Sequence, residues 1–154
     1  MISKIEIQYE EFDSFDSLSL SESHLIQKAQ SSLQNAYAPY SNFNVASALR
    51  LSNNEIVIGT NQENKAYPSS MCAERVAIFS ASSNFPSEKI EALVIVNQGD
   101  LIDQSEPIYP CGACRQVMIE REINQNQPIK LIFVAQNGAV KLFNSVKDIL
   151  PFSF

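Results

Sequence analysis

The sequence predicts one layered α/β domain built on a mixed sheet of about five strands. Helical and strand patterns alternate along the 154 residues, which is typical of helices packed on a sheet. Two short apolar runs, 93–96 and 131–134, have the composition of strands covered on both faces. This length suits one domain, expected at 21–154. Residues 1–20 are expected to form a peripheral arm, of which 4–9 alternate like a short strand.

The first part of the domain predicts a helix followed by a hairpin. Ser21 can cap a helix from Glu22 to about Tyr37. Pro39 ends that helix, because proline cannot continue the backbone hydrogen bonding. Period-two alternation over 43–51 then predicts a strand. A polar turn separates it from a second strand at 55–59, so the two should pair as a hairpin.

The second part of the domain predicts two further helices between the buried strands. These helical patterns begin at cysteines and run over 72–80 and 111–122. Asn137-Gly138 is a strong hairpin signal and leads into a strand at 140–143. The Ser145/Asp148 pair then predicts the start of a short final helix.

The composition argues against two classes of partner. Eleven Lys and Arg against seventeen Asp and Glu give a net charge of −6, whereas nucleic-acid binders usually carry a basic face. No apolar run approaches the ~18–20 residues of a membrane span. The N-terminus also lacks the continuous apolar stretch of a signal peptide. We therefore expect a cytoplasmic protein with neither a nucleic-acid nor a membrane partner.

The three cysteines indicate a metal site. An odd number cannot form a closed set of disulfides. Cys111 and Cys114 form a C-x-x-C pair, and Cys72 lies upstream of them. The N-terminus of a helix favours thiolates through its free N–H groups and its dipole. A single cysteine is commonly a small buried hydrophobe, but three thiolates at predicted helix starts favour zinc.

The number of ligands distinguishes two kinds of zinc site. A structural zinc normally has four protein ligands, and this chain offers three Cys and the single His24. His24 lies in the first predicted helix, without ligand-like spacing to any cysteine. Three protein ligands leave the fourth position open for water, as in a catalytic site. A closed structural site that uses His24 is the alternative.

Charged residues next to the cysteines are candidates for proton transfer and charge balance. Glu74, in the first turn after Cys72, could exchange a proton with water on the metal. It could equally complement the positive end of the helix. Three thiolates and Zn²⁺ sum to one negative charge, which Arg75 or Arg115 could offset. For both arginines the alternative is an ordinary surface charge.

Several segments together resemble the cytidine deaminase family in its small, homotetrameric form. Cys72-Ala73-Glu74 and Pro110-Cys111-Gly112-Ala113-Cys114 match the zinc deaminase pattern in its three-cysteine variant. Residues 38–45, 61–68 and 150–154 resemble further family segments, and the resemblance spans 22–154 in order. The chain departs from the family at Ser70, Lys65 and Ala46-Ser47-Ala48, which affects local packing rather than the chemistry.

The resemblance implies a three-layer α/β/α sandwich that deaminates cytidine and deoxycytidine hydrolytically to uridine and deoxyuridine, with release of ammonia, in pyrimidine salvage. It implies one Zn²⁺ per subunit on Cys72, Cys111 and Cys114, a zinc-bound hydroxide, and Glu74 as proton shuttle. Arg75 would tune the charge near the zinc. It also implies a homotetramer with shared active sites. The residues expected to contact substrate are Phe43, Asn61, Glu63, Tyr67, Ala73 and Phe154.

Other functions remain as alternatives. The nearest is deamination of another aminopyrimidine nucleoside, such as a nucleoside antibiotic. A non-catalytic binding module stabilised by a closed zinc site is a second alternative, in which His24 would be the fourth ligand. Editing of nucleic acid is disfavoured, because the acidic composition offers no evident phosphate-binding groove.

Overall fold

The computed structural model describes residues 1–154 and has a six-stranded mixed sheet with helices on both faces. The strand order is β1-β6-β5-β4-β2-β3, and only the β4–β5 pair is parallel. The strands are β1 (Glu10–Phe12), β2 (Asn44–Leu51), β3 (Ile56–Thr60), β4 (Ile90–Gln98), β5 (Lys130–Val134) and β6 (Val140–Phe143). The helices are α1 (Leu20–Ser32), α2 (Ala73–Asn84) and α3 (Gly112–Gln125). The α/β prediction is confirmed.

The sheet separates two hydrophobic clusters. Leu25, Ile26 and Ala29 of α1 pack against one face of the sheet. The core residues of α2 and α3, among them Ile78 and Met118, pack against the other face. This arrangement gives the three layers expected from the resemblance. No helix in it combines the length and apolar character that crossing a bilayer requires.

The first helix begins and ends earlier than predicted. Ser19, not Ser21, is its N-cap, since Ser19 Oγ accepts from Glu22 N and the Glu22 carboxylate accepts from Ser19 N at 3.1 Å. This reciprocal capping box satisfies two backbone donors at once. The α-helix gives way to a 3₁₀ turn at Leu33–Asn35, before the predicted end at Tyr37.

Two other local predictions needed correction. The strand expected at 4–9 lies at Glu10–Phe12, where the chain pairs with the edge of β6 and adds a sixth strand. The pattern alone could not show this, because pairing depends on which residues reach that edge. The final helix is only a 3₁₀ turn, Val146–Asp148, although Ser145 and Asp148 form the expected capping box.

A glycine in β3 allows α2 to approach the sheet closely. A Cβ added at Gly59 would lie 2.2 Å from Ala73 O and 2.4 Å from Ala77 N. Any larger residue would therefore push the start of α2 away from β3. The position of Cys72 and Glu74 depends on this contact, because both lie at that end of α2.

Candidate active site

The three cysteines meet where two helices begin. Cys72 is the N-cap of α2, Cys111 is the N-cap of α3, and Cys114 lies in the first turn of α3. The Sγ atoms of Cys72 and Cys111 are 3.9 Å apart, and those of Cys111 and Cys114 are 3.5 Å apart. All three sulfurs lie within 4.8 Å of one another. Residues 39 positions apart in the chain thus form one cluster.

The sulfur spacing fits a tetrahedral zinc ion. Zn–S bonds of ~2.3 Å place neighbouring sulfurs about 3.8 Å apart in a tetrahedron, close to the distances found here. The hydrogen bond from Cys114, together with Arg75, lowers the pKa of the Cys72 thiol to about 5. The same contact with Cys72, together with burial, raises the pKa of Cys114. The low pKa of Cys72 favours its thiolate, the form that binds metal.

The two arginines next to the cysteines have different contacts. Arg75 Nη2 lies 3.6 Å from Cys72 Sγ, so its charge faces the cluster. Arg115 donates from Nε to Pro110 O at 2.8 Å and from Nη1 to Ile149 O at 2.9 Å. Arg115 therefore fixes the backbone before Cys111, and Arg75 is the cation placed to balance negative charge on sulfur.

A small cavity of about 180 Å³ opens beside the cysteines. Its walls come from β2, the β3–α2 segment and the loop before α3. The lining residues are Val45, Asn61, Cys72, Ala73, Glu74, Ile108, Tyr109 and Cys111. Five residues singled out from the sequence thus share one cavity: Asn61, Cys72, Ala73, Glu74 and Cys111.

Glu74 is the buried carboxyl group of this cavity. Its residue is only 5% exposed. Burial raises the pKa of Glu74, because a desolvated carboxylate is less stable than the neutral acid, and the nearby Cys72 charge adds to the rise. Hydrogen bonds from its own backbone N–H and from Cys114 oppose that rise. A carboxyl group with a raised pKa is suited to take up and return a proton.

The sequence analysis missed two residues of the cavity wall. Ile108 and Tyr109 directly precede Pro110 and line the cavity opposite α2. The Tyr109 ring packs edge-on against Phe133, with centroids 5.4 Å apart. The position of Ile108 and Tyr109 just before the C-x-x-C segment could have identified them as cavity residues, because residues next to a metal ligand must lie near the metal.

Asn61 uses its side chain to brace the start of β2. Its Oδ1 accepts from Val45 N at 2.8 Å, and its Nδ2 donates to Phe43 O at 2.9 Å. Asn61 thereby fixes the strand that forms one wall of the cavity. One amide hydrogen and one acceptor position remain for a ligand.

Glu63 organises the neighbouring turn. Its carboxylate accepts from Tyr40 N at 2.9 Å, from Ser41 N at 3.2 Å and from the Ser41 hydroxyl. These hydrogen bonds stabilise the carboxylate and so lower the pKa of Glu63, and the bond from the Ser41 hydroxyl has the largest effect. Glu63 is therefore ionised, but it does not line the cavity within one subunit.

Three other residues predicted to contact substrate also lie outside the cavity of a single chain. Phe43 is buried in the core. Tyr67 is 75% exposed and packs edge-on against Tyr40, with ring centroids 6.2 Å apart. Phe154 is 94% exposed. Their role in binding stays a prediction.

His24 lies far from a ligand position. Its side chain is exposed on α1, and α1 covers the face of the sheet opposite α2 and α3. The cluster of metal-binding side chains contains only the three cysteines. The closed site with His24 as fourth ligand is therefore not formed.

The sequence and the fold are similar to those of known proteins. The model of the cytidine and deoxycytidylate deaminase zinc-binding region matches residues 20–127. Cytidine deaminase from Halalkalibacterium halodurans is 40% identical over 96 residues, 62% of this chain and 68% of the relative. That of Sporosarcina psychrophila is 40% identical over 107 residues, covering 70% and 74%. The crystal structure of cytidine deaminase from Burkholderia pseudomallei matches 86% of this chain and 98% of its own, with 36% identity and a TM-score of 0.73.

Proposed function

The chain belongs to the cytidine and deoxycytidylate deaminase family and deaminates cytidine with zinc as its cofactor, and we propose that it also accepts deoxycytidine. The products are uridine or deoxyuridine and ammonia, which suits a role in pyrimidine salvage. One observation carries the proposal: three cysteine sulfurs lie at zinc spacing, and two of these cysteines, Cys72 and Cys111, line a small cavity together with the buried Glu74.

The metal would be held by Cys72, Cys111 and Cys114, and the residues around them would have separate roles. A bound zinc ion supplies Lewis acidity, which lowers the pKa of water toward neutrality. Arg75 offsets the excess negative charge of the thiolates through its contact with Cys72. Ala73 contributes the backbone at the start of α2, next to the cavity.

Glu74 is the proton shuttle of this proposal. It takes one proton from the attacking water and delivers it to the ring nitrogen of cytosine, and it then takes a second proton from the hydroxyl formed on C4 and delivers that one to the departing amine, which leaves as ammonia. Its burial supports this role, because burial raises the pKa of Glu74 and a carboxyl group with a raised pKa holds and releases a proton more readily near neutral pH.

A direct assay tests the proposed function. Purified protein should convert cytidine to equal amounts of uridine and ammonia. Deoxycytidine and aminopyrimidine nucleoside analogues tested in parallel would show whether another nucleoside is the preferred substrate. A protein that binds zinc but leaves all of these nucleosides unchanged would contradict the proposed function.

Asn61 and Glu63 are proposed to hold the sugar. A carboxylate and an amide together accept from and donate to ribose hydroxyls. Asn61 already lines the cavity, and Glu63 follows it by two residues. Phe43, buried next to this segment, would support the edge of the base pocket, and Tyr67 would help to close it.

Asn61→Ala and Glu63→Ala should each raise KM for cytidine. Loss of a charge-assisted or buried hydrogen bond costs about 1–3 kcal/mol, equivalent to roughly 5–150-fold. Gln62→Ala, between them, is the matched control and should behave like the parent. Free cytosine lacks ribose and should be a poor substrate. A parent enzyme that handles cytosine as well as cytidine would contradict the sugar assignment.

We also propose a homotetramer in which Phe154 closes the cavity of a neighbouring subunit. Phe154 lies on a short tail after Pro151 and is almost fully exposed in the single chain. An aromatic wall suits a planar base, because contact between two rings contributes on the order of 1 kcal/mol beyond area burial.

Three free cysteines also suit a reducing compartment, so we propose the cytoplasm as the location of the protein.

Mixed oligomers test whether Phe154 acts between subunits. A variant lacking Phe154 and a Glu74→Gln variant are unfolded, mixed and reassembled together. If Phe154 acts in trans, some sites combine an intact Glu74 with a neighbour's Phe154, and affinity for cytidine partly recovers. Verified mixed oligomers without recovery would show that Phe154 acts within its own subunit.

A further inference from the structure

The N-terminal arm (residues 1–12) is connected to the wall of the cavity by a row of aromatic rings. Tyr9 stacks on Phe143 with centroids 5.2 Å apart and an interplanar angle of 24°. Phe143 contacts Phe133 at 5.5 Å, and Phe133 contacts Tyr109 at 5.4 Å. Tyr109 lines the cavity. The arm lies outside the matched family region, which begins at residue 20, and it reaches the site through these four rings.

The ammonium group of Lys141 also links the N-terminal arm to the cavity wall. Its Nζ lies 6.0 Å from the ring centroids of both Tyr9 and Tyr109. The same ammonium is 3.6 Å from Glu11 Oε1 in the arm and 3.4 Å from Glu106 Oε2 in the loop before Cys111. The adjacent Tyr109 hydroxyl and Glu106 raise the pKa of Lys141, so the ammonium stays charged.

The strand register explains why these groups meet. Lys141 of β6 lies directly opposite Glu11 of β1 and Phe133 of β5. Residues directly opposite each other on neighbouring strands point to the same face of the sheet, and so do residues two positions apart on one strand. Phe143 therefore lies beside Lys141 on the face that carries α2, α3 and the cavity.

We propose that the arm is a positioning element for the nucleoside cavity, in which Tyr9 and Glu11 hold Lys141, and Lys141 with Phe133 fixes Tyr109 in the cavity wall. This inference rests on the proposed function, because the cavity must be where the nucleoside binds. Residues 99–111 form no helix or strand, so their side-chain contacts determine where Tyr109 lies.

The zinc ligands do not depend on this contact. Arg115 holds the Pro110 carbonyl at 2.8 Å and thereby fixes the backbone at Cys111 by a separate route. Removal of the arm contact should therefore displace Tyr109 and leave the cysteine cluster intact. A positioning role accordingly predicts a change in KM for cytidine, with kcat and zinc content close to those of the parent.

Substitutions on both sides of Lys141 test the proposal. Tyr9→Ala should raise KM for cytidine about two- to fivefold, as expected for one lost cation–π contact, and Lys141→Met should raise it further. Tyr9→Phe keeps the aromatic ring and should therefore have the same KM for cytidine as the parent. Ile5→Ala, an exposed change in the same arm, is the control. Because both substitutions remove the Tyr9–Lys141 contact, Tyr9→Ala should raise KM less in the Lys141→Met protein than in the parent, where it removes both this contact and the stack on Phe143.

Amide hydrogen exchange in the nucleoside-free protein supplies a readout that does not require turnover. The peptide covering 101–111 should exchange faster in Tyr9→Ala and Lys141→Met than in the parent or Tyr9→Phe. A parent that fails to deaminate cytidine would overturn the proposed function. An active parent whose KM for cytidine and exchange over 101–111 are unchanged by Tyr9→Ala would overturn the positioning role, as would faster exchange with unchanged KM.

Discussion

Glu74→Gln is expected to retain zinc and to lose cytidine turnover by at least ~10³-fold. The glutamine amide fills the same volume next to Cys72 but cannot accept and return a proton. The loss should fall on kcat rather than on cytidine binding, because the cavity walls are unchanged. Steady-state kinetics together with metal analysis of the same preparation measure both quantities.

The matched control for this substitution is His24→Ala. His24 was the alternative fourth zinc ligand, and it lies on the opposite face of the sheet. His24→Ala should keep the zinc content and kcat of the parent. Near-parental turnover by zinc-loaded Glu74→Gln would remove Glu74 from the mechanism.

Cys114→Ser is expected to abolish zinc binding and with it all measurable turnover. Cys114 is fully buried, and its sulfur lies 3.5 Å from that of Cys111, so no other side chain can replace it. Serine is a poor zinc ligand by comparison with a thiolate. The variant should also melt at a lower temperature than the zinc-loaded parent, because a metal that binds only the native state stabilises it.

Ala113→Ser provides the control for Cys114→Ser. Residue 113 is exposed between Cys111 and Cys114 and is not one of the metal-binding side chains of the cluster. This variant should retain zinc, kcat and melting temperature. Full zinc occupancy in Cys114→Ser would show that the metal is held by a ligand set other than the three cysteines.

Local patterns were sufficient to predict most of the architecture. The runs at 93–96 and 131–134 are buried strands, and Asn137-Gly138 does lead into β6. The spacing of Cys72, Cys111 and Cys114 at helix starts pointed to their cluster. These predictions succeeded because each depends on neighbouring residues or on the shared preference of thiolates for helix N-termini.

Contacts between distant segments could not be predicted in the same way. The contact of Lys141 with Tyr9 and Tyr109 requires the register of β1 and β6. Asn61 accepts a hydrogen bond from Val45 N and donates one to Phe43 O, and both depend on where β3 ends. No periodicity or motif in the sequence encodes these distances, so the positioning of the cavity wall became visible only in the structure.

Zinc titration of the metal-free protein is the most direct test of the central claim. Chelator-treated protein is mixed with increasing zinc, and the loss of cytidine absorbance is measured at each step. Activity should be absent without zinc, rise in proportion to the metal added and reach its maximum at one zinc per chain. Metal-free protein that deaminates cytidine as fast as the zinc-loaded form would contradict the account.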